Sequence, residues 1–397
     1  MTDKISKNIF QHLSLRHIIL MIVLASGTFV IFDQYAYADK LKEWYRIQRL
    51  QADLNCQGNS KWLRSSAKSL IRQHQYNDPI GNVSLAYVSP SGRQSSCNAG
   101  WVNQIGESPT VTSGTVYQFA SVTKVFTADI VLQLVREGRL DLNDKLINLL
   151  PELRDVFFED NRIRSIEVRH LLSHTAGFDR SETGVLDDIF QPKPWCPEHV
   201  KRLKTIELQF APNERVAYSN IGYCLLSRIV EEAYQQPYRD IVRQHYQLDN
   251  YDNFDFIGDN GEIPTTNSAI KPLVEPLNYK SLAAAAGLYG SATDLAVLIY
   301  DMERTEHPNI IDRASDSQCD TTAVRGCHGY MGYEYSADPS LRFYWRSGDM
   351  NNVSALIIID DKGGVMSMLT NARIRARGIN QLVNDIYEYR LSHEIQN

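Results

Sequence analysis

"YQFASVTKVFTAD", residues 117–129, sets Ser121 three residues ahead of Lys124 at the mouth of an apolar run. A serine hydroxyl is a weak nucleophile at neutral pH, and a lysine ammonium cannot accept a proton. The pair is therefore either a nucleophile with its base or the ordinary opening of a helix, with the serine as N-cap. The run "TKVFTADIVLQLVREGRL" (123–140) is apolar around most of its circumference, which predicts a buried helix. At the start of such a helix, unpaired N–H groups and the helix dipole favour a developing anion. Lys124 lies one turn along on the same face, about 5–6 Å away between Cβ atoms. The same Ser-x-x-Lys spacing recurs at Ser65–Lys68, in a basic helical stretch that reads as exposed, so the pattern alone decides nothing.

Two further elements give the pair a context. Tyr218-Ser219-Asn220 precedes an apolar-periodic helical stretch. A phenol near a lysine can share its proton and pass one to a leaving group, and the Asn amide can hold the lysine or a substrate carbonyl. Arg346-Ser347-Gly348 ends a strand rich in aromatics. A cation there can dock a carboxylate, the glycine lets a substrate backbone lie close, and the Asp349 N–H can pair with that of Ser121 as an oxyanion hole. Each element has a weaker echo: Tyr251-x-Asn253 in a polar loop, and Lys362-Gly363-Gly364 in a hairpin turn.

The whole chain has 397 residues, 43% hydrophobic and 22% charged, the composition of a globular protein with a sizeable core. A net charge of −6 points away from nucleic acid as a partner. The densest basic run, "NARIRARG" (371–378), reads as solvated surface. At the N-terminus, Lys4, Lys7 and Arg16 precede the uncharged "IILMIVLASGTFVIF" (18–32), and Ala36-Tyr37-Ala38 follows. Basic, apolar and small-x-small in that order read as a signal peptide, or as an uncleaved signal anchor, over 1–38. The expectation is an exported chain, periplasmic or extracellular, touching membrane only through that segment. Six cysteines (56, 97, 196, 224, 319 and 327) fit up to three disulfides, Cys319–Cys327 first among the pairings. No C-x-x-C suggests a structural zinc, and the sequence implies no metal and no cofactor.

Residues 39–79 read as an N-terminal helical segment, and "GNVSLAYVSPSGRQSSCNAGWV" (81–102) as a β-hairpin. Short helices and polar loops fill about 140–285. Strands return at 328–336, 341–348, 353–360 and 364–371, the last two joined by the turn "DKGG", and a helix closes the chain at 378–392. The expected fold is α+β: an antiparallel sheet flanked by helices, with a mainly helical part inserted, together making one domain over 80–392.

Ser121-x-x-Lys124, Tyr218-x-Asn220 and Arg346-x-Gly348, in this order, resemble the serine β-lactamase and penicillin-binding-protein superfamily. "HLLSHTAGF" (170–178), "FAPNERVAYSN" (210–220) and "AAGLYGSATDLAVLI" (285–299) extend the likeness to its class C β-lactamase-like branch, which includes D-alanyl-D-alanine carboxypeptidases and esterases. The resemblance implies an acyl-enzyme on Ser121, with Lys124 and Tyr218 moving protons and with Asn220, Arg346, Ser347, Gly348 and Asp349 holding a small-molecule or peptide substrate. A lysine base must be neutral, which requires a downshift of about 3 pKa units from ~10.4. Relatives carry Lys-Thr-Gly or a histidine where this chain has Arg-Ser-Gly. Arginine keeps the charge and cannot relay a proton. Peptidase or esterase activity on D-amino-acid peptides or esters is therefore expected ahead of β-lactamase activity. The alternative is a catalytically weak, penicillin-binding-like protein that binds a cell-wall-type ligand. His170 and His174 read as structural, since Leu171 stands where H-E-x-x-H needs glutamate.

Overall fold

The computed structural model describes residues 38–58, 61–73, 80–102, 106, 109–180, 193–259, 261–263, 268–269, 277–313, 319–350 and 352–395. Apart from Ala38, the expected leader lies outside the described residues. The chain divides into two compact units, 1–52 and 53–397. In the first, 38–52 is helical, with Arg46 paired to Glu43 one turn earlier. Among the described residues no helix is long and apolar enough to cross a membrane.

The second unit is built on an eight-stranded antiparallel sheet. The stretch 81–102 forms its hairpin as expected: β2 (Asn82–Val88) pairs with β3 (Gln94–Gly100) through the turn at 89–93, where the Gly92 N–H bonds Ser89 O. Outside β3 lies a short β1 (Asn55–Gln57), within a stretch read as helical. Cys56 stands opposite Cys97 and is bonded to it, a cross-strand tie that local propensity does not announce. A separate three-stranded sheet, also unforeseen, is made of β4 (Val116–Gln118), β5 (Asp255–Phe256) and β6 (Leu288–Ser291) in the order β4-β6-β5.

The C-terminal strands are β7 (Cys327–His328), β8 (Tyr333–Asp338), β9 (Leu341–Met350), β10 (Val353–Asp360) and β11 (Val365–Thr370). The run expected as one strand at 328–336 is interrupted between β7 and β8, where the Gly329 N–H bonds back to Gly332 O at 2.7 Å. Gly332 has no room for a side chain, since a Cβ would stand 2.3 Å from Trp345 O. The sheet order β1-β3-β2-β11-β10-β9-β8-β7 joins the two ends of the chain through β2 and β11.

Every residue of β2, β10 and β11 is buried, so both faces of the sheet centre are covered. Period-two alternation assigns the faces. Tyr87 stacks edge-on against Trp62, 4.7 Å between centroids, beneath helix α1 (Lys61–Arg72). Its neighbours Ala86 and Val88 join Ala355, Ile357, Ile359 and Val365 in the large core on the opposite face. That core also holds α2 (Thr123–Arg136), α3 (Ile221–Tyr234), α4 (Tyr279–Ala286) and α5 (Ala292–Glu303). Helix α2 ends early, at Arg136, and Gly138 turns the chain at φ 66°. The closing helix α6 (Ala376–Ile395) packs on α1. Its Arg390 reaches Asp360 Oδ2 at 3.0 Å, while Asp360 also accepts the Lys362 and Gly364 N–H groups of the "DKGG" turn.

All six cysteines are bonded: Cys56–Cys97, Cys196–Cys224 and the expected Cys319–Cys327. Such bonds persist in oxidising compartments and fit an exported chain.

Candidate active site

Strand β4 hands the chain to α2 through a tight turn. Ala120 sits at φ 46°, a sparsely populated conformation for a residue with a Cβ. The single 3-10 turn Ala120–Val122 follows and leaves Ser121 half-buried at the edge of a cavity. One turn on, Lys124 is fully buried. Its Nζ donates to Asn220 Oδ1 at 2.7 Å, to Ala285 O at 2.8 Å and to Ser121 Oγ at 3.3 Å. Asn220 occupies the N-cap position of α3, yet its side chain makes no cap bond and is turned to the lysine instead.

Tyr218, two residues before Asn220, donates its hydroxyl to Ser121 Oγ at 2.6 Å. Lys124 Nζ lies 5.0 Å from the centroid of its ring. On the other side, Arg346 Nη2 approaches the same phenol oxygen at 3.4 Å. Burial works to raise the Tyr218 pKa; the charges of Lys124 and Arg346 and the bonds from Lys124 and Ser121 outweigh it and bring it down to about 8. Beneath the phenol, the buried His174 ring packs 4.6 Å away, and His328 meets His174 edge-on at 5.3 Å. Burial, His328 and Arg346 keep His174 neutral far below its ordinary range. Burial and then Arg346 push His328 down to about 3.

The β9 residues reach the site because of register. Arg346 pairs with Ile357 and Gly348 with Ala355, both on the core-facing side of β10. Arg346 is 4% exposed, and its guanidinium donates from Nε to Ser121 O and from Nη1 to Met331 O, both at 2.8 Å. Three of its bonds thus face the Ser121 turn, the Tyr218 phenol and the protein interior, while the residue also lines the cavity. At Gly348 a Cβ would lie 2.4 Å from Phe119 O and 2.7 Å from Ser121 N. Only glycine lets β9 press this closely on the turn. Ser347 and Asp349 line the cavity beside them, and Asp349 Oδ2 accepts from Arg373 Nε at 2.8 Å.

The fold thus gathers all eight expected residues: Ser121, Tyr218, Asn220, Arg346, Ser347, Gly348 and Asp349 line one cavity of about 560 Å³, with Lys124 beneath Ser121. The echoes do not join it. Ser65 lies on α1, its hydroxyl bonded to Lys61 O; that helix is amphipathic rather than exposed throughout, burying Trp62, Leu63, Ala67, Leu70 and Ile71. Lys362 stays in the hairpin turn. The cavity also contains residues that the motifs did not name: Arg180, Arg325, His328 and Arg373. Arg180 lies two residues past "HLLSHTAGF" and Arg373 belongs to the run read as plain surface, whereas Arg325 has no sequence signal beyond its place in the Cys319–Cys327 loop. The arrangement can supply a nucleophilic hydroxyl, a phenol of lowered pKa in contact with it, and positive charge around both.

Comparison with known proteins identifies relatives of the chain and of its fold. The chain is 31% identical over 378 residues to the putative fimbrial assembly protein FimD, serogroup D, of Dichelobacter nodosus, covering 92% of this chain and 91% of the relative. Protein flp of Staphylococcus aureus is 24% identical over 313 residues, 70% of this chain and 57% of the relative. Among solved structures, the D-amino acid amidase of Ochrobactrum anthropi SV3 superposes with a TM-score of 0.63 at 17% identity, over 79% of this chain and 96% of that one. The octameric penicillin-binding protein homologue of Pyrococcus abyssi gives 0.56 at 20% identity, over 74% and 70%. These likenesses bear on the fold alone. The beta-lactamase family model matches residues 69–384, and with the full-length relative at 31% identity it places the chain in the beta-lactamase family.

Proposed function

We propose that the protein is an exported serine hydrolase that forms an acyl-enzyme on Ser121, with D-amino-acid peptides, amides or esters as substrates. The observation that carries this reading is the 2.6 Å contact between Tyr218 and Ser121 Oγ, with a cation on each side of the phenol. Lys124 Nζ donates to the carbonyl-type oxygens Asn220 Oδ1 and Ala285 O and to Ser121 Oγ, acceptors that favour the charged ammonium. This supports Tyr218 as the base and Lys124 as its electrostatic partner, in place of the neutral lysine that the Ser-x-x-Lys spacing alone requires.

In the proposed cycle the Tyr218 phenolate takes the Ser121 proton while Oγ bonds to the substrate carbonyl carbon. The carbonyl oxygen gains the negative charge and is received by the Ser121 and Asp349 N–H groups. As the tetrahedral centre collapses, the bond to the leaving nitrogen or oxygen breaks and Tyr218 returns the proton to it. Water then repeats the sequence on the ester. The Arg346 charge serves here to hold the phenol acidic. With arginine in place of Lys-Thr-Gly, peptidase or esterase action is favoured over β-lactamase action.

The test is incubation of wild type and Ser121→Ala with a fluorophosphonate, a fluorescent penicillin and p-nitrophenyl butyrate, with adducts located by peptide mass spectrometry. A Ser121 adduct or Ser121-dependent turnover is expected. Tyr218→Phe should retain the fold and lose about 10²–10⁴-fold in turnover. A folded wild type that neither reacts nor turns over any probe would refute the acyl-enzyme. The likeness to FimD along nearly the whole chain favours a setting in fimbrial assembly at the cell envelope. The Ser121→Ala allele in cells tests that setting, and fimbriation identical to wild type would count against it.

A further inference from the structure

Among the described residues four arginines line the cavity, Arg180, Arg325, Arg346 and Arg373, against a single carboxylate, Asp349, which is itself paired with Arg373. Arg346 is turned to the Ser121 backbone and the phenol. Arg325 is different. Its loop is closed by Cys319–Cys327 and pinned where Trp345 Nε1 donates to Val324 O at 3.0 Å. The guanidinium stacks 4.8 Å from the ring centroids of both Tyr333 and Trp345, and its Nε is held by Asn380 Oδ1 at 2.6 Å. Among the described residues no carboxylate lies within ion-pair distance of it. Arg180, stacked 4.6 Å from the Tyr218 ring centroid, has no acidic partner among them either. The neighbouring His328 and His174 are held neutral and add no compensating charge.

A guanidinium held in place by aromatic stacking, disulfide and amide, with no acid among the described residues to satisfy it, is built to meet an anion brought from outside. We propose that the substrate of the Ser121 centre carries a carboxylate seated against Arg325, and that a molecule presenting a free ammonium there is rejected. The inference rests on the hydrolase reading, because it takes the Ser121 cavity as the substrate site. It goes further by choosing within the class: an acidic, amine-blocked D-amino-acid derivative rather than a simple amino-acid amide. Arg325 is then a specificity residue that no motif contains.

Three probes differing in charge decide it, titrated by calorimetry into the Ser121→Ala protein: N-acetyl-D-phenylalanine (anionic), its amide (neutral) and D-phenylalanine amide (cationic). The anion should bind at least about tenfold more tightly than the neutral amide, with the cation weakest, and the gap should narrow as salt rises. Arg325→Gln should cost the anion about tenfold while leaving the neutral amide within twofold, and Arg325→Lys should recover part of the loss. Melting curves confirm that both variants are folded. Equal or tighter binding of the cation, a uniform loss for all three probes in Arg325→Gln, or no charge preference at all, including no binding, overturns the proposal. Fluorophosphonate labelling of wild-type Ser121 separates the two readings. Labelling without charge preference sinks the anion site alone; charge preference without labelling leaves an anion-binding pocket and sinks the hydrolase.

Discussion

Replacing Arg346 with glutamine tests whether its charge acts on Tyr218 or on the substrate. Its Nη2 lies 3.4 Å from the phenol oxygen and its guanidinium carbon 5.6 Å from the ring centroid. Unit charges about 4 Å apart interact by about 4 kcal/mol at an effective dielectric of ~20 and by about 1 kcal/mol in water. Tyr218 is half-buried at an open cavity, so an intermediate value of about 2 kcal/mol applies, equivalent to roughly 1.5 pKa units. The base form of a tyrosine grows as pH rises through its pKa. Wild-type kcat/KM should therefore climb with pH and level off above about 8, where the Tyr218 pKa lies. In Arg346→Gln the climb should move to roughly pH 9.5. At pH 7 the phenolate fraction falls from about 10% to about 0.3%, a loss of about 30-fold in kcat/KM, which shrinks to within about twofold at pH 10. Arg346→Lys should keep its midpoint near that of wild type. The assay is kcat/KM for a neutral ester from pH 6 to 10. A midpoint unmoved in Arg346→Gln, with the same fractional loss at every pH, would refute the electrostatic role and restore Arg346 as a substrate clamp.

Gly348→Ala places a methyl 2.4 Å from Phe119 O and 2.7 Å from Ser121 N, so β9 and the Ser121 turn must separate. The expected result is a loss of about 1–3 kcal/mol in stability with a much larger fall in kcat; unchanged turnover would refute the tight apposition. Asp360→Ala removes the buried carboxylate that Arg390 Nε reaches and frees the "DKGG" turn. Denaturant melts should show a cost of about 3–5 kcal/mol, and a loss below ~1 kcal/mol would mean that water already screens the pair.

The elements that were legible in the sequence are those set by local chemistry. The hairpin at 81–102 and the strand pair around "DKGG" combine alternation with turn residues, and the run after Ser121 is apolar around most of its circumference. What escaped depends on partners distant in sequence. Strand β1 exists because Cys56 stands opposite Cys97, a pairing across a sequence separation of 41. The small sheet β4-β6-β5 assembles from three segments too short to carry a period.

Arg346 shows how far a motif reaches. Arg346-x-Gly348 located the residue and its charge, and the strand assignment put it on β9. Its role hangs on which way the guanidinium turns, and that follows from the register Arg346↔Ile357, from the closeness that Gly348 permits, and from two carbonyls, Ser121 O and Met331 O, that no sequence pattern encodes. Once those bonds draw the charge inward, it lowers the pKa of the phenol. On the proposed reading a substrate carboxylate meets another cation, Arg325, on a loop that belongs to no motif. A lysine at position 346 has no planar fork with which to bridge both carbonyls and still face the phenol. On the proposed reading, the arginine that departs from the family pattern acts on the phenol and Arg325 acts on the substrate. Arg346→Lys should therefore loosen the turn while leaving the anion preference at Arg325 in place.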